Sequence, residues 1–179
     1  MKMYRCRICG ETYLGSEAPS HCPFCGAHRE LLIDTTEYPE NINDVQPTEV
    51  EKKDLLAAIE LERNNTHFYL GMGKHKADNP KLASAYKRLA KVEAEHCELF
   101  CKLASVPVPD DLMVAEEVSA DWCANIEASI GREQYASAFY AESAERATDA
   151  RIKEVFDAVS AIETDHIELD GTAKDVAGC

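Results

Sequence analysis

The sequence predicts a mainly α protein, a four-helix bundle preceded by a small N-terminal module held together by a metal. Three observations predict it. Two C-x-x-C pairs, Cys6-Arg7-Ile8-Cys9 and Cys22-Pro23-Phe24-Cys25, stand twelve residues apart near the start. A Glu-x-x-His pair occurs twice, as Glu93 with His96 and as Glu163 with His166. Ahead of each lies a Glu followed seven positions later by a Tyr, Glu62 with Tyr69 and Glu133 with Tyr140. Glu62 and Glu93 are 31 residues apart and Glu133 and Glu163 are 30 apart, so the second half repeats the first.

Residues 1–34 form the predicted module. Each cysteine pair is followed by a glycine, Gly10 or Gly26, and reads as a knuckle: a tight turn aims two thiolates at one ion, and the glycine takes a backbone shape closed to other residues. Two knuckles make a tetrahedral site of four sulfurs, suited to zinc or iron. About thirty residues bury too little apolar surface to fold unaided, so the metal would be their staple. His21, beside Cys22, reads as a surface residue.

Residues 35–47 carry Pro39, Pro47 and several Asn and Asp without helical period, and read as a linker. Residues 48–179 then read as the bundle. Thr48 and Glu51 make a capping box that opens a helix expected over about 48–77. Its apolar stripe, Leu55, Ile59, Glu62, Thr66, Tyr69 and Gly73, contains Glu62 and leaves Glu60 outside. Asn79-Pro80 opens the second helix with a cap and a first-turn proline. Its stripe is Leu82, Tyr86, Leu89, Glu93, His96, Phe100 and Leu103, and Pro107 and Pro109 are expected to stop it. Residues 106–118 form a crossover long enough to run the length of the bundle, since extended chain covers about 3.3 Å per residue. Ser119 is the expected cap of a third helix over 119–147, with the stripe Ile126, Ile130, Glu133, Ser137, Tyr140 and Ala144. A turn at Thr148-Asp149 leads to the fourth, with Ile152, Phe156, Val159, Glu163 and His166.

A Glu and a His three residues apart share a helical face. Four glutamates and two histidines on inward stripes at mid-helix are costly unless a cation neutralises them. The pattern is that of a two-metal carboxylate site in a ferritin-like bundle, with Glu62, Glu93, His96, Glu133, Glu163 and His166 as ligands. Such ligands suit two iron, manganese or zinc ions. Tyr69 and Tyr140 stand where they can hydrogen-bond ligand carboxylates, and Asp170 is a candidate acceptor for the His166 imidazole. Cys97 and Cys101 read as small core residues, and Cys123 and Cys179 carry no assignment.

A net charge of −14 argues against a nucleic-acid backbone or an anionic membrane as partner. No apolar run has the length of a transmembrane helix, and Met1-Lys2-Met3-Tyr4-Arg5-Cys6 has no signal-peptide core. With cysteines in C-x-x-C pairs, this points to metal binding in a reducing cytoplasm.

Cys6-Arg7-x-Cys9-Gly10-Glu11-x-Tyr13, then Pro19-x-x-Cys22-Pro23-x-Cys25-Gly26-Ala27, resembles the rubredoxin-like domain of rubrerythrins, which holds one iron on four cysteines. With the carboxylate bundle behind it, nearly the whole chain resembles that family in its reversed domain order. The resemblance implies that the two bundle metals are iron. It implies reduction of hydrogen peroxide to water at this di-iron pair, with electrons passed from a reductase or rubredoxin through the FeS4 iron. It also implies a homodimer paired head-to-tail, since a short connector is not expected to bring the S4 centre to the pair of its own chain. Typical members carry a further Glu on the third helix as Glu-x-x-Glu. Here Ile130 and Ala136 occupy both positions three residues from Glu133, and Glu127 lies six away. A six-ligand site with Glu93 and Glu163 shared between the metals follows, and it weakens the preference for peroxide over dioxygen. Two other functions compete: a ferroxidase or iron-handling protein, and an electron carrier with a structural bundle.

Overall fold

Four helices make up most of the chain: α1 (Glu49–Met72), α2 (Pro80–Ala104), α3 (Trp122–Arg146) and α4 (Ala150–Ala177). A computed structural model describes residues 1–75 and 78–179. α1 packs closely on α2 and α3 on α4, giving two helical hairpins that meet along α1–α3 and α2–α4. Ahead of them lies a three-stranded antiparallel sheet in the order β2-β1-β3, built from β1 (Lys2–Cys6), β2 (Thr12–Gly15) and β3 (Leu32–Asp34). Tyr4 sits at its centre, opposite Tyr13 on one side and Asp34 on the other. The architecture is the mainly α bundle with a small N-terminal module that the sequence predicts.

The helix starts follow local chemistry. The Thr48 hydroxyl accepts from the Glu51 N–H, and the Glu51 carboxylate accepts from the Thr48 N–H at 2.7 Å, completing the capping box. The other Glu51 oxygen accepts from the N–H groups of Thr148 and Asp149 at 2.7 and 2.8 Å. One buried carboxylate therefore ties the start of α1 to the turn before α4. Asn79 caps α2 through Leu82 N–H, with Pro80 in the first turn. Asp149 caps α4.

Three predicted boundaries move. α1 ends at Met72 rather than 77, where Gly71 and Gly73 weaken the helix; Lys76 and Ala77, the last residues of the expected span, lie outside those described. α2 ends before its prolines, at Ser105, which adopts left-handed geometry with φ 53°. α3 is capped by Asp121, whose carboxylate accepts from the Cys123 and Ala124 N–H groups. Ser119 instead accepts from the Asp121 N–H, and its carbonyl from the Asn125 side chain. The third stripe shifts as well: Ser129 and Ala136 are buried, while Ser137 turns toward α4 and donates to the Ser160 carbonyl.

The crossover between α2 and α3 runs back along α1. Arg63 pairs with Asp111, the His67 ring donates to the Asp111 carbonyl at 2.8 Å, and the Glu116 N–H donates to the His67 carbonyl at 3.1 Å. A Cβ on Gly71 would lie 2.6 Å from the Glu116 carbonyl oxygen, so only glycine lets the crossover lie this close. The apolar interior is split in two. One cluster joins Leu55, Ile59, Phe100, Tyr140, Phe156 and Ile162 to Cys6, Ile8, Cys25 and Leu32 of the module. The other gathers Phe68, Tyr69, Met72, Tyr86, Leu89 and Ile126. Between them lies the level of Glu62, Glu93, Glu133 and Glu163.

Burial pushes the Glu51 carboxyl up, but the donors from Asp149, Thr48 and Thr148 outweigh it and hold the pKa down at about 2, below its usual 4.5. A depressed carboxylate stabilises the fold above its unfolded value and loses that contribution as pH falls through the folded one. The contribution is about 3 kcal/mol. Glu51→Ala is therefore expected to lower stability by about 3 kcal/mol at pH 7, and the deficit should shrink between pH 5 and 2. Urea unfolding of both proteins at matched pH checks it; a deficit that stays constant down to pH 3 would contradict the assignment.

Candidate metal centre

The knuckles form as their sequence requires. Gly10 and Gly26 take φ of 85° and 81°, and their N–H groups donate to the Cys6 and Cys22 carbonyls at 2.9 Å. The Cys6 and Cys25 sulfurs lie 3.7 Å apart and those of Cys9 and Cys22 3.9 Å apart. A tetrahedron of thiolates about 2.3 Å from a central ion has edges of about 3.8 Å, so the four sulfurs fit one metal.

The mid-bundle residues converge in two groups. Glu62, Glu93, His96 and Glu163 bring donor atoms within 4.8 Å of one another, and so do Glu93, Glu133, Glu163 and His166. The Nδ1 of His96 lies 3.6 Å from Glu62 Oε1, 3.6 Å from Glu93 Oε2 and 3.4 Å from Glu163 Oε1. The Nδ1 of His166 lies 3.2 Å from Glu93 Oε1, 3.6 Å from Glu133 Oε2 and 2.9 Å from Glu163 Oε2. Glu93 and Glu163 thus turn one oxygen to each histidine, whereas Glu62 faces only His96 and Glu133 only His166. Separations of 3.4–3.6 Å around His96 exceed a hydrogen bond but suit donors each about 2.0–2.2 Å from one shared ion.

The side chains are deeply buried. Glu62 Oε2, both Glu93 oxygens, Glu133 Oε2, Glu163 Oε1 and His96 Nδ1 have no hydrogen-bond partner. Each unpaired buried charge costs several kcal/mol. Burial drives the Glu62 and Glu133 carboxyls well above the usual range, and the charges of Glu163 and Glu93 add to it. For the two imidazoles burial acts downward, but the surrounding carboxylates outweigh it and hold both well above the ordinary histidine range. Such a cluster attracts cations, and a set of carboxylate oxygens and imidazole nitrogens fits iron, manganese or zinc.

Two tyrosines hold the carboxylates crosswise. Tyr69 on α1 donates to Glu133 Oε1 on α3, and Tyr140 on α3 donates to Glu62 Oε1 on α1 at 2.6 Å. Burial, with the facing carboxylate next, pushes both phenols well above their usual range, so they stay protonated donors. Ser129 donates in turn to the Tyr69 oxygen at 3.0 Å.

Family comparison follows this geometry. Residues 4–31 match the model described as "Rubrerythrin, rubredoxin-like domain", and residues 53–169 match that described as "Rubrerythrin". The chain belongs to the rubrerythrin family. It is 32% identical over 131 residues to reverse rubrerythrin-1 of Clostridium acetobutylicum, covering 68% of this chain and 72% of that one. No solved structure matches the chain. The rubredoxin-like region comes first, which is the reversed order, and the whole is a di-iron redox protein of rubrerythrin type.

Other expectations for this rubrerythrin change. The Nε2–H of His96 donates to the Cys25 carbonyl at 2.8 Å, which fixes a proton on Nε2 and turns Nδ1 toward the carboxylates. This contact lies within one chain, so the premise that the S4 centre needs the pair of a second subunit falls. Arg151, buried on α4, donates to the Ile8 carbonyl at 3.0 Å and to Asn43 at 3.0 Å, and Gly26 lies against Ile162. No sequence pattern marked these contacts. Asp170 serves Tyr86, whose hydroxyl donates to Oδ1 at 2.6 Å, rather than His166. Cys97 and Cys101 are buried core residues, and burial pushes the Cys97 thiol up. Cys123 and Cys179, given no role by the sequence, are joined in a disulfide. No described helix is long and apolar enough to cross a membrane.

Tyr140→Phe leaves Glu62 Oε1 without its donor, and Tyr69→Phe does the same to Glu133 Oε1. Each is expected to weaken one bundle metal position by about tenfold or more, the scale on which outer partners of ligands act. Metal counting against graded chelator checks it; full retention in both variants would make the tyrosines mere packing.

Proposed function

We propose that this rubrerythrin reduces hydrogen peroxide, and more slowly dioxygen, to water with electrons from a reductase or rubredoxin-type partner. In this reading Cys6, Cys9, Cys22 and Cys25 hold one iron and Glu62, Glu93, His96, Glu133, Glu163 and His166 hold two. Residues 1–34 form the FeS4 unit, 35–47 the linker and 48–179 the catalytic bundle. The supporting observation is the hydrogen bond from His96 to the Cys25 carbonyl, which joins the two centres through a single contact. Iron storage needs no such connection, and a mere electron carrier needs no buried carboxylate cluster.

Bound iron would supply one-electron transfer at the thiolates and two-electron reduction at the pair. Peroxide reduction takes two electrons and two protons and breaks the O–O bond, yielding two waters. The chain's own residues keep the site ready for this. Tyr69 and Tyr140 hold one oxygen of Glu133 and Glu62, His96 is held by Cys25, and the apolar clusters on both sides exclude bulk water. A homodimer remains part of the proposal on family resemblance alone.

The absent seventh carboxylate bears on the oxidant. Ile130 packs against one apolar cluster, Ala136 is buried in the other, and Glu127 is exposed and paired with Lys174 at 2.7 Å. Peroxide should therefore lead dioxygen by a modest factor. Stopped-flow oxidation of the reduced protein by each tests this, and dioxygen reacting at least as fast as peroxide would favour the ferroxidase or oxidase reading.

Cys9→Ser should abolish reductase-linked turnover but leave helicity and the peroxide reactivity of a chemically reduced pair. Unimpaired linked turnover would show that electrons bypass the S4 centre. Because the Cys25–His96 contact is within one chain, mixing Cys9→Ser with Glu93→Ala should not restore linked turnover. Recovery after subunit exchange would place that contact between subunits.

A further inference from the structure

A third group of metal-ligating side chains lies apart from both centres, where the second knuckle meets α4. His21 precedes Cys22 and His28 follows Cys25 by three residues, and the two form an isolated antiparallel bridge. Their rings stand edge-on with centroids 5.2 Å apart. Opposite them is Asp165, on the outer side of the α4 turn whose inner side carries Glu163 and His166. Asp165 Oδ2 lies 2.6 Å from His28 Nε2 and 3.5 Å from His21 Nε2. The three donor atoms fall within 4.8 Å of one another.

The outer nitrogens of the two rings face oxygens, and only that of His21 is within hydrogen-bond distance. His21 Nδ1 lies 3.1 Å from Ser20 Oγ, and His28 Nδ1 faces Glu30 Oε1 at 3.8 Å. The 2.6 Å contact is a hydrogen bond in which His28 Nε2–H donates to the Asp165 carboxylate, and a metal ion bound there takes the place of that proton. Two ring nitrogens, one from each histidine, and a carboxylate oxygen converge on one point, where a divalent ion can take all three as ligands. Two imidazoles and one carboxylate suit a borderline divalent ion such as zinc, with water completing the coordination.

We propose that His21, His28 and Asp165 bind a divalent transition-metal ion that clamps the second knuckle onto α4. The side chains are 52%, 36% and 36% exposed, so this ion exchanges with solvent, unlike those of the buried centres. Its ligands come from both partners of one contact. A bound ion holds the loop carrying Cys25 against the helix carrying Glu163 and His166.

The test uses the full chain with its thiolate and bundle sites already filled with iron, titrated with Zn²⁺ against a chromogenic chelator. One further zinc per chain is expected, with thiolate-to-iron absorption and iron content unchanged. His21→Ala and Asp165→Ala should each weaken that zinc by more than about tenfold, the least loss expected when a ligand rather than its outer partner is removed. The two substitutions lie on different elements, so one still reports if the other disturbs folding. No zinc beyond the filled sites would overturn the proposal and leave an ordinary His28–Asp165 hydrogen bond. So would zinc uptake matched by iron loss, or uptake that neither substitution weakens.

Discussion

Four carboxylates and two imidazoles held at one level inside a bundle set the terms for the rest of this molecule. Each unpaired buried charge costs several kcal/mol, and a domain of this size is stable by only about 5–15 kcal/mol. The cluster cannot persist as bare charge, and its raised glutamate and histidine pKa values express that conflict. Cations would resolve it, and the oxygens left without hydrogen-bond partners are the ones free to face them. The two apolar clusters above and below stabilise the helices that hold the charged layer in place.

The repeat in the sequence becomes an approximate twofold in the site. Each half contributes one glutamate facing a single histidine, one facing both, and one tyrosine. The tyrosines do not serve their own half: Tyr69 holds Glu133 and Tyr140 holds Glu62. The hairpins are thus locked across the α1–α3 seam by hydrogen bonds to the very groups that need positioning. The Glu51 carboxylate locks the same hairpins at one end, by joining the cap of α1 to the turn before α4.

Periodicity carried most of this information. A glutamate inside an apolar stripe has only one direction to face, which is why Glu62 was separable from Glu60 and why all six inward donors were legible. The knuckles were legible because C-x-x-C-Gly is a local geometry, complete within a few residues. Features made by distant segments were not. The Cys25 carbonyl on His96 is a backbone group, which carries no side-chain signal, and the Asp170–Tyr86 pair depends on how α4 is rotated against α2. Helix ends failed where two candidates competed. Asp121 took the cap of α3 from Ser119, and α1 stopped at its own glycines before a more distant signal was reached.

The twofold is broken where the module docks, and that break gives the ligand set a direction. His96 is fully buried and fixed at its outer nitrogen by the Cys25 carbonyl, whereas His166 remains 7% exposed. The thiolate centre therefore touches only the position served by His96 and Glu62. On the His166 side the third helix offers Ala136 and Ile130 where a further carboxylate would stand, both in apolar packing. If His166 holds a metal as proposed, no further carboxylate of the third helix stands where it could replace the histidine. In the reading proposed above, electrons enter at the His96 position, and both positions keep their histidines through the redox cycle. The docked module adds to an asymmetry that the donors already show, since His166 Nδ1 lies 2.9 Å from Glu163 whereas His96 Nδ1 has no hydrogen-bond partner.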